Sequence, residues 1–311
     1  MKKIINQAQS MDSASRKPGH PITRRQFIGN VVLATAGAAL VSAANKPSSR
    51  WQIGCYTRPW AKHDYRVAFD GMAEAGFKFA GLMTALGGNV VTLKTTPEQA
   101  AVIGEEAKSR GLQIASMFGG NFDVTKSVAE GIIGMKRLID NSFSCGSPNL
   151  MLGGIAQPEL VENYYKVVAE CCDYAAEKGV GIDVKPHGPL NSTGRECRPL
   201  IEKVRHKNFR LWYDPGNVYY YSDGKIDPVE DAGEIDGLVI GMSVKDFRLP
   251  KDINVTPGTG IVDWPKLLAR LRRGGFRQGP LIVECLDSSG DLAYINAEAK
   301  KARQFLEELT R

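Results

Sequence analysis

From residue 51 to the C-terminus, strand-like apolar runs alternate with amphipathic helical stretches, and few folds accept that rhythm. The strand candidates are Trp51–Thr57, Lys78–Met83, Leu112–Gly119, Asn149–Gly154, Gly181–His187, Phe209–Asn217, Val239–Phe247 and Pro280–Leu286. Between and after them lie helix candidates at Asp64–Ala75, Pro97–Arg110, Thr125–Asn141, Pro158–Lys178, Thr193–Arg205, Asp227–Glu234, Trp264–Arg273 and Leu292–Leu309. Strict alternation of strand and helix implies a parallel sheet. Eight such units in roughly 260 residues match the size of a closed (β/α)8 barrel. The rival is an open doubly wound sheet. The first strand reads Gly54-Cys55-Tyr56-Thr57 with no G-x-G-x-x-G after it, so no nucleotide cofactor is expected. Local punctuation agrees with the alternation. Thr96 precedes Pro97 with Gln99 at the third helical position, and Asp263 precedes Trp264-Pro265. Glycines follow three helix candidates at Gly76, Gly111 and Gly179.

The first 50 residues read differently. Thr23-Arg24-Arg25-Gln26-Phe27-Ile28 precedes an apolar, small-residue run from Val31 to Val41, and Ser42-Ala43-Ala44 follows. A basic region, a short apolar stretch and small residues make a secretory signal, and the paired arginines specify the twin-arginine route. The expectation is a signal peptide over residues 1–44, a linker over 45–50 and one barrel domain over 51–311. The partner would be the twin-arginine export machinery and the location periplasmic or extracellular. The apolar run is too short for a good membrane span, so no stable span is expected in the mature form. The net charge of +6 comes largely from Lys2, Lys3, Arg16, Lys17, Arg24 and Arg25, which face only Asp12 in this segment. The remaining chain is nearly balanced, which gives no reason to expect a nucleic-acid partner. The six cysteines form no C-x-x-C pair and no zinc-ligand spacing, and are expected as small buried hydrophobes.

In a barrel the chemistry gathers at the C-terminal ends of the strands. Strand five ends Asp183-Val184-Lys185-Pro186-His187-Gly188, and alternation puts Asp183, Lys185 and His187 on one face. Strand six ends Trp212-Tyr213-Asp214-Pro215-Gly216-Asn217, and strand seven ends Ser243-Val244-Lys245-Asp246. Strand eight ends Ile282-Val283-Glu284-Cys285, where an isolated Glu between apolar neighbours needs a partner, a proton or a metal. Tyr56, Arg58 and Trp60 follow strand one, Phe118 ends strand three, and Tyr219-Tyr220-Tyr221 follow strand six. Aromatic walls with a few polar groups suit the apolar face of a sugar ring.

These four strand ends resemble the xylose isomerase-like TIM barrels of the sugar phosphate isomerase/epimerase family, over essentially all of residues 51–309. The resemblance implies a divalent metal held by Glu, Asp, His and Glu from strands five to eight. Here Lys185 stands in the place of the strand-five Glu, Ser243 in that of the strand-seven His, and Asn217 in that of a strand-six His. Only Asp214 and Glu284 match the quartet, with His187 as a further candidate ligand. An ammonium has no lone pair for a cation and repels it. The expected cofactor is therefore none, or a weakly bound divalent metal such as Mn, Mg, Co or Zn held by Asp214, Glu284 and His187. Lys185 would lie near Asp214 or Glu284 as an internal cation.

The resulting expectation is an isomerase or epimerase that moves a proton next to the carbonyl of a sugar or oxidised sugar. Glu284 would be the base, His187 its acid/base partner, and Lys185 or Lys245 the stabiliser of the developing oxyanion. Asp214, Asn217, Tyr56, Trp60 and Phe118 would bind the small-molecule carbohydrate. The alternatives are a lyase or hydrolase of keto-glycosides, or a non-catalytic carbohydrate-binding barrel.

Overall fold

The computed structural model describes residues 51–311. The expected leader, linker and export signal lie outside the described residues. Eight parallel strands close on themselves: β1 (Trp51–Tyr56), β2 (Phe79–Leu82), β3 (Gln113–Met117), β4 (Asn149–Leu152), β5 (Gly181–Val184), β6 (Phe209–Tyr213), β7 (Val239–Val244) and β8 (Gly279–Val283). Each pairs with its neighbours in sequence, and β1 joins β8 from Trp51 opposite Gly279 to Cys55 opposite Val283. The (β/α)8 barrel read from the alternation is therefore the observed fold.

The helices lie between the strands: α1 (Tyr65–Ala75), α2 (Pro97–Ser109), α3 (Val128–Ser144), α4 (Val161–Glu177), α5 (Gly194–Val204), α6 (Pro215–Tyr221), α7 (Pro228–Asp231), α8 (Trp264–Arg273) and α9 (Leu292–Leu309). All but α4 start at side-chain caps that satisfy otherwise orphaned N–H groups. Thr96 and Gln99 form a reciprocal capping box on α2, and Ser127, Thr193, Asp263 and Asp291 cap α3, α5, α8 and α9. Gly76, Gly111 and Gly179 each fall at positive φ just beyond a helix.

Three segments depart from the alternation. β6 stops at Tyr213 rather than Asn217, because Asp214 caps a new helix with Pro215 at its first turn. The stretch expected as one helix over 227–234 is α7 followed by a 3-10 turn at Ala232–Ile235. A two-strand hairpin, Thr84–Ala85 against Gly88–Asn89, follows β2.

Two apolar layers build the core. The larger lies between strands and helices, and all six cysteines are buried free thiols. The smaller fills the barrel interior with Tyr56, Met83, Ala115, Met151, Trp212 and Ile282. It is packed ring over glycine. A methyl group on Gly81 would meet the Tyr56 ring at 2.2 Å, and one on Gly241 would meet the Trp212 ring at 2.3 Å. Tyr56 Oη donates to Ser116 Oγ at 3.0 Å, and Trp212 Nε1 donates to Ser243 Oγ at 3.2 Å. This layer plugs the barrel below the C-terminal ends of the strands.

Candidate active site

Above the plug, five charged side chains meet from five strand ends. Lys185, Lys245 and Glu284 follow β5, β7 and β8 directly, Asp214 follows β6 as the cap of α6, and Arg58 opens a 3-10 turn after β1. Glu284 Oε2 lies 2.6 Å from Lys185 Nζ, and Glu284 Oε1 lies 2.6 Å from Lys245 Nζ and 2.9 Å from the Arg58 guanidinium. Asp214 Oδ2 lies 2.9 Å from Lys185 Nζ and 3.0 Å from Lys245 Nζ. Its Oδ1 accepts the Asn217 N–H at 2.9 Å. Both lysines and both carboxylates are buried, whereas the Arg58 side chain is 33% exposed.

Each partner has a defined share in this cluster. Lys245 donates hydrogen bonds to Asp214 Oδ2 at 3.0 Å and Asn217 Oδ1 at 2.9 Å, and forms an ion pair with Glu284 Oε1. Lys185 donates a hydrogen bond to Glu284 Oε2 at 2.6 Å and pairs with Asp214 Oδ2, and keeps a third N–H without a partner among the described residues. Burial alone would raise the pKa of Glu284, but Lys185, Lys245 and Arg58 outweigh it and hold the carboxyl well below the usual range. Burial would likewise lower Lys245, but Asp214 and Glu284 raise it, so it stays an ammonium.

The sequence reading makes Glu284 the base. Both Glu284 oxygens are occupied by cations at 2.6–2.9 Å, which leaves no lone pair free for a substrate proton. Its place in the structure is that of an anchor for three cations. His187 stands at the exposed rim, its ring in edge contact with Tyr221 at 5.7 Å between centroids. Desolvation of the ring, together with the nearby ammonium of Lys185, presses its pKa down to about 4, so the imidazole is neutral at pH 7.

The donor set does not fit a divalent metal. Of the four carboxylate oxygens of Asp214 and Glu284, three face ammonium or guanidinium groups and the fourth takes the Asn217 N–H. His187 is not gathered with them. Among the described residues, no group of three or more His, Cys, Asp or Glu side chains is arranged to hold a metal ion. At about 4 Å and an effective dielectric near 20, one ammonium repels a divalent ion by roughly 8 kcal/mol, and here there are two.

The sequence pattern of the xylose isomerase-like TIM barrels matches residues 69–309. The chain belongs to that family. A curated relative, the L-ribulose 3-epimerase of Methylomonas sp. (strain DH-1), is 29% identical over 158 residues, which are 48% of this chain and 52% of the relative. The chain thus matches about half the length of that relative. Among solved structures, a xylose isomerase domain protein from Planctomyces limnophilus is similar with a TM-score of 0.65 and 20% identity, over 83% of this chain and 97% of that one. A D-psicose 3-epimerase crystallised in the presence of D-fructose gives a TM-score of 0.66 at 15% identity, over 83% of this chain and 99% of its own.

Within this xylose isomerase-like barrel, several residues expected to touch substrate lie elsewhere. Trp60 is buried between the barrel and its helices, where its Nε1 donates to Asn296 Oδ1 at 2.9 Å. Tyr56 points inward but one layer too deep, inside the plug. Asn217 is buried with its amide spent between Lys245 and the Pro186 carbonyl, to which its Nδ2 donates at 2.7 Å. Phe118 is partly buried on the upper side of the plug. Sequence reasoning gave Arg58 no role. Its only available signal was a cation directly after a strand end.

Two neighbouring acids complete the picture. Asp246, next to Lys245, faces away from the cluster and accepts the N–H groups of Phe247, Gly258, Gly260 and Val262 and the indole N–H of Trp264, at 2.9–3.1 Å. This ties down the loop between β7 and α8. Asp183, one strand period below Lys185, is buried, and neither of its oxygens has a hydrogen-bond partner among the described residues. Burial raises its pKa well above the usual value despite the opposing pull of Lys185, which favours the protonated form.

Proposed function

We propose that this chain is a sugar isomerase or epimerase in which buried ammonium groups supply the electrostatic stabilisation that the resemblance assigns to a metal. The observation that carries the reading is the pair of lysines locked onto Asp214 and Glu284 by contacts of 2.6–3.0 Å at the C-terminal strand ends. Fixed cations in a dry site stabilise a developing oxyanion without reorganisation. The third N–H of Lys185 would meet the carbonyl oxygen. The neutral imidazole of His187 would take the proton from the adjacent carbon, whose electron pair forms the enediolate. Return of the proton to the former carbonyl carbon, with the hydroxyl proton passing to the other oxygen, isomerises the sugar. A proton from water on the opposite face of the first carbon, with the His187 proton neutralising the hydroxide left, epimerises it. Asn217 and Lys245 position the carboxylates. The 3-epimerases among the relatives favour this reading over a lyase.

The test is turnover of free ketoses, L-ribulose and D-psicose among them, after exhaustive dialysis against chelator. Activity should be unchanged by chelator and by added Mn, Co or Mg, and Lys185→Met should lower kcat at least about 100-fold. Loss of activity in chelator, restored by one of these metals, would refute the reading.

The same proposal puts the protein outside the cytoplasm, on the support of Thr23-Arg24-Arg25-Gln26-Phe27 and the apolar run after it. Replacing Arg24 and Arg25 by Lys should leave precursor in the cytoplasm. An undiminished exported fraction from that double variant would count against export.

A further inference from the structure

The charges at the barrel mouth do not cancel. Arg58, Lys185 and Lys245 are three cations, and Asp214 and Glu284 are two anions. Among the described residues, no neighbouring group closes the difference. Asp183 is the other acid in the barrel interior, buried without a hydrogen-bond partner among the described residues, a setting that favours its neutral form. Asp246 points away, its oxygens surrounded by N–H donors. His187 at the rim is neutral at pH 7. The surplus charge is accessible at one place. The Arg58 side chain makes its only hydrogen bond among the described residues through one nitrogen to Glu284, and a third of it faces outward.

From this we infer that the site takes a sugar acid, a sugar carrying one carboxylate, with Arg58 as the residue that receives it. The inference rests on the proposed function, in that the mouth is read as a sugar site. A planar guanidinium with unused N–H groups matches a carboxylate edge and can hold it with two parallel hydrogen bonds. The size of the imbalance argues for this anion over a phosphate ester. A carboxylate brings a single negative charge and leaves the mouth neutral, whereas a phosphate monoester brings about −1.5 to −2 at pH 7. The ligand's charge also completes a partly desolvated cluster, so its gain is larger than that of an exposed surface pair.

The experiment is calorimetric titration of wild type, Arg58→Gln and Arg58→Lys with D-glucose, D-glucuronate, D-gluconate and D-glucose 6-phosphate, with melting curves to confirm folding. At low salt, wild type should bind a sugar acid about tenfold or more tightly than glucose, the scale of one charge-assisted hydrogen bond. That ratio should collapse towards one in Arg58→Gln and be partly kept in Arg58→Lys. Equal binding of glucose and both acids would overturn the inference and leave the sugar reading intact. Tightest binding of the phosphate ester would overturn the single-charge argument. No binding of any of the four would overturn the inference together with the sugar reading on which it rests.

Discussion

Glu284→Gln is expected to destabilise the protein by about 3–5 kcal/mol, the range for removing one partner from a buried ionic network. The substitution keeps shape and volume but leaves Lys185 and Lys245 with Asp214 alone and takes away the carboxylate that Arg58 pairs with. Lys185 and Lys245 are both buried, so neither can turn to water without opening the barrel mouth. Lys245→Met should cost less. It removes a cation from a cluster that holds one in excess, and Lys185 and Arg58 remain to balance Asp214 and Glu284. Equilibrium unfolding in urea at pH 7 compares the two. If the two substitutions cost the same, or if Lys245→Met costs more, the charge count is not what governs this cluster.

Asp183→Asn is expected to act in the opposite direction and to stabilise the fold at neutral pH. The wild-type carboxyl is buried, has no hydrogen-bond partner among the described residues, and has its pKa raised in the folded protein. A group with a raised folded pKa contributes its stability below its unfolded pKa, about 3.9 for Asp. That contribution is lost as pH rises towards the folded value. Across that window the wild type should lose stability relative to Asp183→Asn by about 1.4 kcal/mol per pH unit. The two proteins should be close at pH 4 and well separated at pH 7, with the variant ahead. Urea unfolding at each pH from 4 to 7 gives the difference directly, and a constant offset across that range would show that Asp183 does not hold its proton.

These residues also show how far the sequence could be read. Alternation along β5 put Asp183 and Lys185 on one face, and the ends of β6, β7 and β8 put Asp214, Lys245 and Glu284 at the same mouth. Period two and the barrel rule are enough for that. Depth within the barrel was not legible. Tyr56 faces inward as alternation requires, yet it belongs to the plug because the small residue opposite, Gly81, lets its ring lie flat across the interior. Residues beyond a strand end follow no alternation, which is why Trp60 turned out to lie under the helices and Arg58 to reach Glu284. The pairing of charges was legible in kind but not in detail. One lysine near one carboxylate was expected, whereas each lysine bridges both. That arrangement depends on where five strand ends meet in space, and no local pattern records it.

The ring-over-glycine packing of Tyr56 on Gly81 and Trp212 on Gly241 turns the barrel into a cup with a single doorway. Whatever enters past His187 and the Tyr221 ring must leave by the same route. Incoming and outgoing molecules therefore exclude one another at the threshold, and a departing one that lingers there blocks the next arrival. Any change that tightens the grip of the mouth on its guest also lengthens the guest's stay, so turnover and retention are set against each other by the shape of the container.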